Sequence, residues 1–282
     1  MNTVRRLLKI RTASAGLVLV ALLALACVLV PPLLPRGPLQ IDLHHRFLPP
    51  LSGIHPLGTD EIGRDILARL LAGARTSLLI GLSAMALSTV TGCITGGLTG
   101  FYGGWTRIIL MRLVDAVLCF PTIFLLLTLA SFGQPGAATI IGIVSLVAWM
   151  EVSRVVDGQI RALRDREFIV AVEAMGASAT HMLLREFLPN IAGAIVVVST
   201  LNVARAILME AYVSYLGNGI QPPQPSLGNM LNDAQEYLRP DPWLAILPGI
   251  VIAIAVIGLN FIGDGLRTAL DPRQSNASGS RR

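Results

Sequence analysis

Ionisable residues inside apolar stretches are the residues of this sequence best placed to do chemistry. Arg112 and Asp115 stand three apart, so the two side chains can pair on one face of a helix. We interpret them either as a structural ion pair or as part of a helix that moves. Arg205 and Glu210 lie deeper in a later apolar stretch, where a charge costs about 2.5–3.5 kcal/mol. They are expected to line a solute pathway or to form a polar contact between subunits.

Motifs of known chemistry are absent from the sequence. No segment matches GxxxxGK[ST], and Lys9 is the only lysine, so the chain has no P-loop for a nucleotide. GxSxG and HExxH are also missing. His44, His45 and His55 could in principle bind a metal, but no cysteine or spaced carboxylate joins them, and we interpret them as solvated loop histidines. We predict neither an enzyme nor a metal or cofactor site on this chain.

The elements that carry these residues belong in a lipid bilayer. Of the 282 residues 53% are hydrophobic and only 14% are charged, whereas a soluble domain usually has about 25% charged residues. A membrane helix needs about 20 apolar residues. Stretches near this length occur at 13–34, 76–100, 107–130, 137–156, 191–213 and 243–263. The sequence therefore predicts an all-α membrane protein with six transmembrane helices.

Basic residues fix the predicted orientation. Most of the 22 lysine and arginine residues fall on the side of the N-terminus when the six helices alternate in direction. By the positive-inside rule, both ends of the chain are then cytoplasmic. The net charge of +5 reflects this face, so we predict no nucleic-acid partner. Arg5-Arg6 and the run LALAC ending at Cys27 faintly resemble an export signal, but apolar character continues to Leu34, which favours a first transmembrane helix.

The predicted organisation divides the chain at its polar segments. Residues 1–12 form a cytoplasmic N-terminus, 13–273 the transmembrane domain and 274–282 a disordered tail. Two polar segments interrupt the domain. Residues 55–75 suit an outer amphipathic helix, and residues 157–189 form the one long cytoplasmic loop.

The outer helix should begin at Thr59 as its N-cap and lie in the membrane interface or lead into the second span. Its apolar residues include Ile66 and Leu70, with Arg64 and Arg69 on a different face. Within the second span, glycines should let a neighbouring helix approach closely. These glycines are Gly92, Gly96, Gly97 and Gly100.

The cytoplasmic loop reads as two short helices joined by a glycine. Residues 165–175 suit the first helix, Gly176 can supply the left-handed turn that ends it, and Ser178 can cap a second helix that runs to Pro189. An apolar stripe follows the helical spacing i, i+3, i+4, i+7. Its members are Phe168, Ala171, Val172 and Met175. The stripe packs either on the protein's own bundle and the headgroups or in the groove of a cytoplasmic partner.

Several blocks, in order, resemble one transporter family. The loop AVEAMGASATHMLLREFLP resembles the EAA loop of ABC importer permeases, on the evidence of its small-residue helix, Gly176 and the spacing to Leu188-Pro189. HPLGTDEIGRDILARLLAGARTSL, MRLVDAVLCFP, EAYVSYLGNGIQPPQPSLGNML and NFIGDGLRTALDPR extend the resemblance over about residues 1–273. The family is the second permease subunit of dipeptide, oligopeptide and nickel ABC importers.

This resemblance implies the type I importer permease fold, in the inner membrane of a prokaryote. It also implies a homologous permease, two cytoplasmic ATPases that carry ATP and Mg, and an extracytoplasmic solute-binding protein. The residues implied to dock an ATPase are Phe168, Ala171, Val172, Glu173, Met175, Gly176 and Ser178. Peptides are the first choice of solute. The alternatives are a nickel importer of the same family and a proton-coupled secondary carrier.

The loop departs from the family pattern at the position of its usual glutamate. Val170 stands there, Val172 replaces an alanine, and Glu173 takes a place often held by arginine. Asp157 stands where a basic residue is frequent. The resemblance then implies docking by shape and apolar contact, with any ion pair to the ATPase rearranged.

Overall fold

The computed structural model describes residues 7–8 and 10–270 and is built of helices joined by turns and loops. The helices are α1 (Arg11–Leu29), α2 (Ile66–Tyr102), α3 (Gly104–Leu118), α4 (Thr122–Phe132), α5 (Ala137–Arg164), α6 (Glu167–Ala174), α7 (Ala179–His181), α8 (Leu188–Tyr215), α9 (Leu227–Asp233) and α10 (Trp243–Leu270). Short 3₁₀ turns cover Pro31–Leu33, Leu43–His45 and Ala234–Tyr237. The arginine pair Arg5-Arg6 and the tail 274–282 lie outside the described residues.

Six membrane crossings are present if α3 and α4 count as one. Five helical stretches are long and apolar enough to span a bilayer, and α3 with α4 forms a sixth that is bent by 92°. The all-α membrane fold is therefore confirmed, but the prediction of one continuous helix over 107–130 is wrong. Pro121 explains the break, because proline disfavours helical geometry at the residue before it and cannot donate a backbone hydrogen bond.

Helices α2 and α5 form the central contact of the bundle. Three glycines spaced by four residues line one face of α2, as predicted. A Cβ atom added at Gly92 would lie 2.6 Å from Val152 Cβ, and one at Gly96 would lie 2.5 Å from the carbonyl oxygen of Ser153. One at Gly100 would lie 2.9 Å from Ile160 Cβ, whereas Gly97 points away from this contact. We call Gly92, Gly96 and Gly100 the glycine seam.

The outer end of α2 begins later than predicted. Asp65 is the N-cap, since its carboxylate accepts a hydrogen bond from the Ala68 amide at 2.8 Å. Thr59 does not cap a helix; its hydroxyl donates to the His45 carbonyl at 2.5 Å. From Ile66 the helix runs without interruption through the second span. The predicted connection into that span is confirmed, while the predicted start at Thr59 is wrong.

Charged residues at the outer end are buried rather than placed on a polar face. Arg64 and Arg69 both contact the Asp60 carboxylate, at 2.7 and 2.9 Å. Arg69 also reaches Asp233 on α9 at 3.2 Å. Burial raises the pKa of Asp233, and burial together with the neighbouring Asp60 raises that of Glu61. This ionic cluster fastens the segment before α2 to α9.

Candidate functional site

The cytoplasmic loop forms a rigid elbow at the end of the bundle predicted to be cytoplasmic, hereafter the inner end. Helix α6 is shorter than the predicted 165–175 and spans Glu167–Ala174. Gly176 has a φ of +82°, the left-handed conformation expected of it. The Ser178 hydroxyl caps the next helix by accepting from the His181 amide at 3.3 Å. The helix–glycine–helix geometry predicted for this loop is confirmed.

The apolar residues of α6 divide between two faces. Ile169 is 1% exposed and packs in a core that includes Ile160, Met182 and Phe187, and Val172 packs against the same core. Ile169 was missed from the predicted stripe, although its spacing of three from Val172 places both on one face. For Val172, packing on the protein's own bundle, one of the two alternatives given for the stripe, is therefore observed.

The opposite surface of α6 is apolar and unpartnered within the described chain. It consists of Phe168, Val170, Ala171, Ala174 and Met175, which we call the elbow face. Met175 is 78% exposed and Val170 is 52% exposed. Glu173 lies beside them, is exposed, and forms no ion pair with any described residue. Large exposed apolar side chains grouped in this way are typical of an interaction surface.

The second leg of the elbow continues directly into a membrane helix. After α7 the chain passes through a π-helical turn, Met182–Phe187, into α8, so the predicted end of a short helix at Pro189 is wrong. Pro189 is tolerated because it lies in the first turn of α8. The buried side chains of Met182 and Phe187 hold the π turn against the bundle. The elbow is thereby continuous with α8.

Asp157 anchors the root of the elbow. Its carboxylate is buried and accepts from Nε of Arg107 on α3, at 3.2 and 3.3 Å, and from Nε of Arg161, at 3.2 Å. Arg164 donates to the Phe101 carbonyl at the end of α2, at 3.0 Å. The acidic residue that departs from the family pattern is thus paired with two arginines, and its contact with Arg107 links α3 to α5.

The candidate pair Arg112 and Asp115 does not form. Asp115 instead accepts from Nη2 of Arg154 on α5, at 2.5 Å, while Arg112 is exposed. The prediction of an ion pair within α3 is therefore wrong. The bend after α3 directs Asp115 toward α5, and a three-residue spacing alone could not reveal this competing partner.

Arg205 and Glu210 lie on the same helix in opposite surroundings. Arg205 forms an ion pair with Glu151, near the middle of α5, and both side chains are about half exposed. Glu210 is fully buried, and its carboxylate accepts from Ser77 Oγ at 2.5 Å and Ser214 Oγ at 2.8 Å. Sequence reasoning missed Glu151, although this acid lies within the predicted fourth span.

The Glu210 cluster also holds the outer loop. Ser214 Oγ accepts from the amide of Ile220 at 3.1 Å, and Ser77 Oγ accepts from that of Leu227 at 3.4 Å. Glu210 therefore connects α2, α8 and the segment that leads to α9. Among the residues that the structure describes, no basic side chain pairs with it.

The three loop histidines serve separate contacts. A ring nitrogen of His55 lies 2.8 Å from the Asp65 carboxylate, and His55 is buried, so its interpretation as a solvated residue is wrong. His45 contacts Asp42 at 2.9 Å and remains exposed, as does His44. The hydrogen bond from Arg36, followed by that from His45, lowers the pKa of Asp42 below its usual range.

An open cleft of about 630 Å³ lies at the inner end between α5, α8 and α10. Its walls are mostly aliphatic, and its polar members are Gln159, Asn190 and Arg267. The cleft adjoins the first turns of α8, which the elbow continues into. The elbow and one wall of this cleft therefore belong to one continuous stretch of chain.

Comparison with known families decides what kind of protein has this arrangement. Residues 88–276 match the model of the binding-protein-dependent transport system inner membrane component. Residues 2–50 match the N-terminal TM domain of oligopeptide transport permease C. The chain belongs to the family of binding-protein-dependent inner membrane permeases. This permease is accordingly a multi-pass inner membrane protein.

Relatives match the permease over nearly its whole length. A predicted peptide permease protein of Brucella suis biovar 1 is 42% identical over 274 residues, covering 96% of this chain and 90% of that protein. The oligopeptide transport system permease protein OppC of Mycobacterium bovis is 38% identical, covering 95% and 93%. OppC of Bacillus subtilis is 36% identical, covering 93% and 86%.

A solved structure supports the fold. It is titled as inward-facing conformations of the MetNI methionine ABC transporter, with a TM-score of 0.57 and 20% sequence identity. The match covers 72% of the permease and 96% of that chain. The permease thus has the fold of an ABC importer membrane subunit, as predicted. With membership of a binding-protein-dependent family, this leaves no support for the proton-coupled secondary carrier.

Proposed function

We propose that this permease forms half of the solute pathway of an ATP-driven peptide importer and transmits ATPase closure to that pathway. The observation that carries the proposal is the elbow face. Five apolar residues project from a helix that Ile169 anchors to the bundle and that α7 and the π turn connect to α8. A surface that is apolar, exposed and mechanically linked to a membrane helix suits a lever held by a partner.

The partner proposed for the elbow face is a cytoplasmic ATPase with an apolar groove. Helix-in-groove contacts place one helical face in such a groove. Val170 replaces the family's usual glutamate and lies within the elbow face, so shape and apolar burial supply the contact. Glu173, exposed beside this face, is available for an ion pair at its rim. Gly176 and Ser178 shape the turn that presents the helix.

The remaining assembly follows from the same proposal. ATP and Mg bind to two ATPase subunits, and this chain carries no cofactor of its own. A homologous permease supplies the other half of the pathway, and a solute-binding protein delivers the cargo to the outer end. ATP-driven closure favours the elbow position that opens the pathway outward, because the two positions make different contacts with the ATPase.

Peptides are the proposed solute. Relatives that match nearly the whole chain carry the names peptide permease and oligopeptide permease. The family that the sequence resembles also contains nickel importers. The nickel alternative predicts a pathway lined with several imidazole or thiolate ligands. The ion pair exposed at mid-membrane is instead an arginine with a glutamate, and Cys119 at the bend between α3 and α4 is a single exposed thiol.

A glutamate placed on the elbow face tests the docking step. Ala171→Glu puts a charge where an apolar contact is proposed, so this variant should retain less ATPase when the transporter is purified through a tag on the permease. The matched control is Ala138→Glu, at an alanine that is also exposed and lies in the first turn of α5 at the opposite end of the bundle. It should copurify with the ATPases in wild-type amounts.

The two variants together separate docking from general damage. Loss of ATPase from Ala171→Glu alone, with both proteins inserted in the membrane at equal levels, supports the elbow face as the docking surface. Equal retention by both variants, with normal peptide-stimulated ATP hydrolysis, contradicts it.

A further inference from the structure

The ion pair between Glu151 and Arg205 lies at the middle of the membrane. Arg205 stands ten residues before Tyr215, about 15 Å from the end of α8 at ~1.5 Å per residue. Glu151 lies halfway along α5, between Ala137 and Arg164. Both side chains are about half exposed on the permease. Charges at this depth are costly against lipid, so this surface faces a polar pathway or another protein.

A small cavity opens beside the pair where α3 breaks into α4. Its volume is about 30 Å³, and its lining includes Thr122, Glu151, Asn202 and Arg205. Asn202 is only 3% exposed, and within the described chain its Nδ2 has no hydrogen-bond partner. A buried amide donor without an acceptor is uncommon, because burying it unpaired is unfavourable. Asn202 lines the cavity, so an acceptor that enters it approaches this amide group.

The cavity accepts one small anionic group. On this measure a cavity needs about 10–15 Å³ to hold one water molecule, so about 30 Å³ accommodates a group with two polar oxygens, such as a carboxylate. Arg205 provides a guanidinium with several donors in a plane, the geometry that matches a carboxylate. Asn202 adds a neutral donor next to it. The Glu151 carboxylate accepts a hydrogen bond from Nη1 of Arg205 and balances the charge of the guanidinium when the cavity is empty.

We propose that Arg205 and Asn202 form a binding site for the C-terminal carboxylate of a peptide in transit. Glu151 is a positioning residue that competes with this carboxylate for Arg205. The inference rests on the proposed function of peptide import and adds the chemical group that the pathway recognises. Peptides with a free C-terminus pass this point with a contact that C-terminally amidated peptides do not make.

The test compares trialanine with trialaninamide in the complete transporter. This chain, its partner permease, the ATPases and the binding protein are reconstituted in liposomes, and ATP-driven uptake of each peptide is measured. The readout is the rate of trialanine uptake divided by the rate of trialaninamide uptake. This ratio in a variant is then divided by the same ratio in the wild type. Because one binding protein serves all variants, its own preference cancels.

The variants are expected to move this ratio in opposite directions. Arg205→Gln removes a charge-assisted contact and should lower the ratio about tenfold. Asn202→Leu removes the unpaired donor with little change of shape and should lower it less. Glu151→Gln frees Arg205 for the peptide and should raise the ratio. Asp115→Asn, which removes the similarly exposed ion pair with Arg154, is the control and should leave the ratio unchanged.

A merely structural ion pair gives a different result. It predicts that Arg205→Gln and Glu151→Gln lower the uptake of both peptides alike, with no change in ratio, and this outcome overturns the site while peptide import stands. An ion pair that is covered by the partner permease predicts the same result, an unchanged ratio, and that result also overturns the site. Uptake of neither peptide by the wild type overturns the proposed function and this site with it.

A second measurement uses the wild-type chain and does not depend on how the variants fold. A tripeptide with p-benzoylphenylalanine between two alanines is irradiated with the transporter in nanodiscs, and the crosslinks are mapped by mass spectrometry. The site predicts crosslinks within residues 147–151 or 202–209 that excess trialanine suppresses more strongly than trialaninamide does. Crosslinks confined to other segments, or equal suppression by both peptides, overturn it.

Discussion

Gly176 has a backbone conformation that a side chain disfavours. Its φ is +82°, yet the space around it is open, since no atom lies within 4 Å of a Cβ placed there. A substitution therefore acts through backbone strain rather than through collision. The strain for an L-residue in the left-handed region is about 1–2 kcal/mol, and asparagine tolerates it better than a β-branched residue does.

Gly176→Val is expected to loosen the elbow. A strain of about 1–2 kcal/mol corresponds to a local opening that is about 5–30 times more frequent. Hydrogen exchange of residues 167–178 should be faster by that factor, and peptide-stimulated ATP hydrolysis should fall. Gly176→Asn is the control and should show a smaller change in both. Equal exchange rates in the two variants and the wild type would mean that the left-handed turn is unimportant.

Glu210 is expected to stabilise the outer half of the molecule. Glu210→Ala leaves the buried hydroxyls of Ser77 and Ser214 without their acceptor, and each unsatisfied group costs about 1–3 kcal/mol. The midpoint of thermal unfolding of the purified transporter should fall, and the loop 216–226 should become sensitive to protease. Glu210→Gln keeps one acceptor oxygen and should lose less. An unchanged midpoint in Glu210→Ala would contradict this role.

The contacts between individual side chains were the part of the site that was hardest to predict from the sequence. The left-handed Gly176 and the Ser178 cap follow from local rules, and both are present. The partners of Asp115 and Arg205 are not local, since Arg154 and Glu151 lie on α5. A pairing between helices depends on their rotation and bend, which residue spacing within one helix does not encode.

At the scale of elements, the glycine seam sets how closely α2 and α5 pack. Gly96→Ala is expected to destabilise the fold by about 1–3 kcal/mol, because the added Cβ lies 2.5 Å from a backbone oxygen and α5 must shift as a unit. The thermal midpoint of the purified permease complex measures this cost.

Gly142→Ala provides the matched control on α5. Nothing lies within 4 Å of a Cβ at Gly142, and alanine favours a helix over glycine by about 1 kcal/mol. The control should therefore leave the midpoint unchanged or raise it slightly. A lower midpoint in Gly142→Ala than in Gly96→Ala would show that close packing at the seam is unimportant.

Apolar length predicted the membrane elements well and their interruptions poorly. The crossings follow from runs of about 20 apolar residues, but the 92° bend at Pro121 was not predicted within 107–130. The N-cap of α2 is Asp65 and not the predicted Thr59, because the Thr59 hydroxyl donates its hydrogen bond to the His45 carbonyl instead. Competing tertiary partners decide which of two adequate caps is used.

The burial of Arg64 and Arg69 shows the same limit at the outer end. Amphipathic patterning assigns charged residues to a polar face. Here Asp60 and Asp233 neutralise both arginines inside a contact between the outer segment and α9. Patterning cannot distinguish a solvated charge from one that is paired and enclosed.

At the scale of the whole molecule, the elbow, α8 and the outer loop form one mechanical path. The elbow passes through the π turn into α8, which carries Arg205 at mid-membrane and Glu210 near its outer end. Glu210 in turn binds the outer loop through Ser77 and Ser214. Under the proposed function, an ATPase that displaces the elbow face acts on the mid-membrane pair and the outer loop through this single helix.

The source of energy for transport tests this account most directly. Trialanine uptake is measured in liposomes that contain the permease and its homologous partner, with the binding protein outside, with and without the ATPases, under either internal ATP or an imposed proton gradient. Uptake is expected only with the ATPases, the binding protein and ATP, and none from the gradient alone. Gradient-driven uptake by the two permeases without ATPases would contradict it.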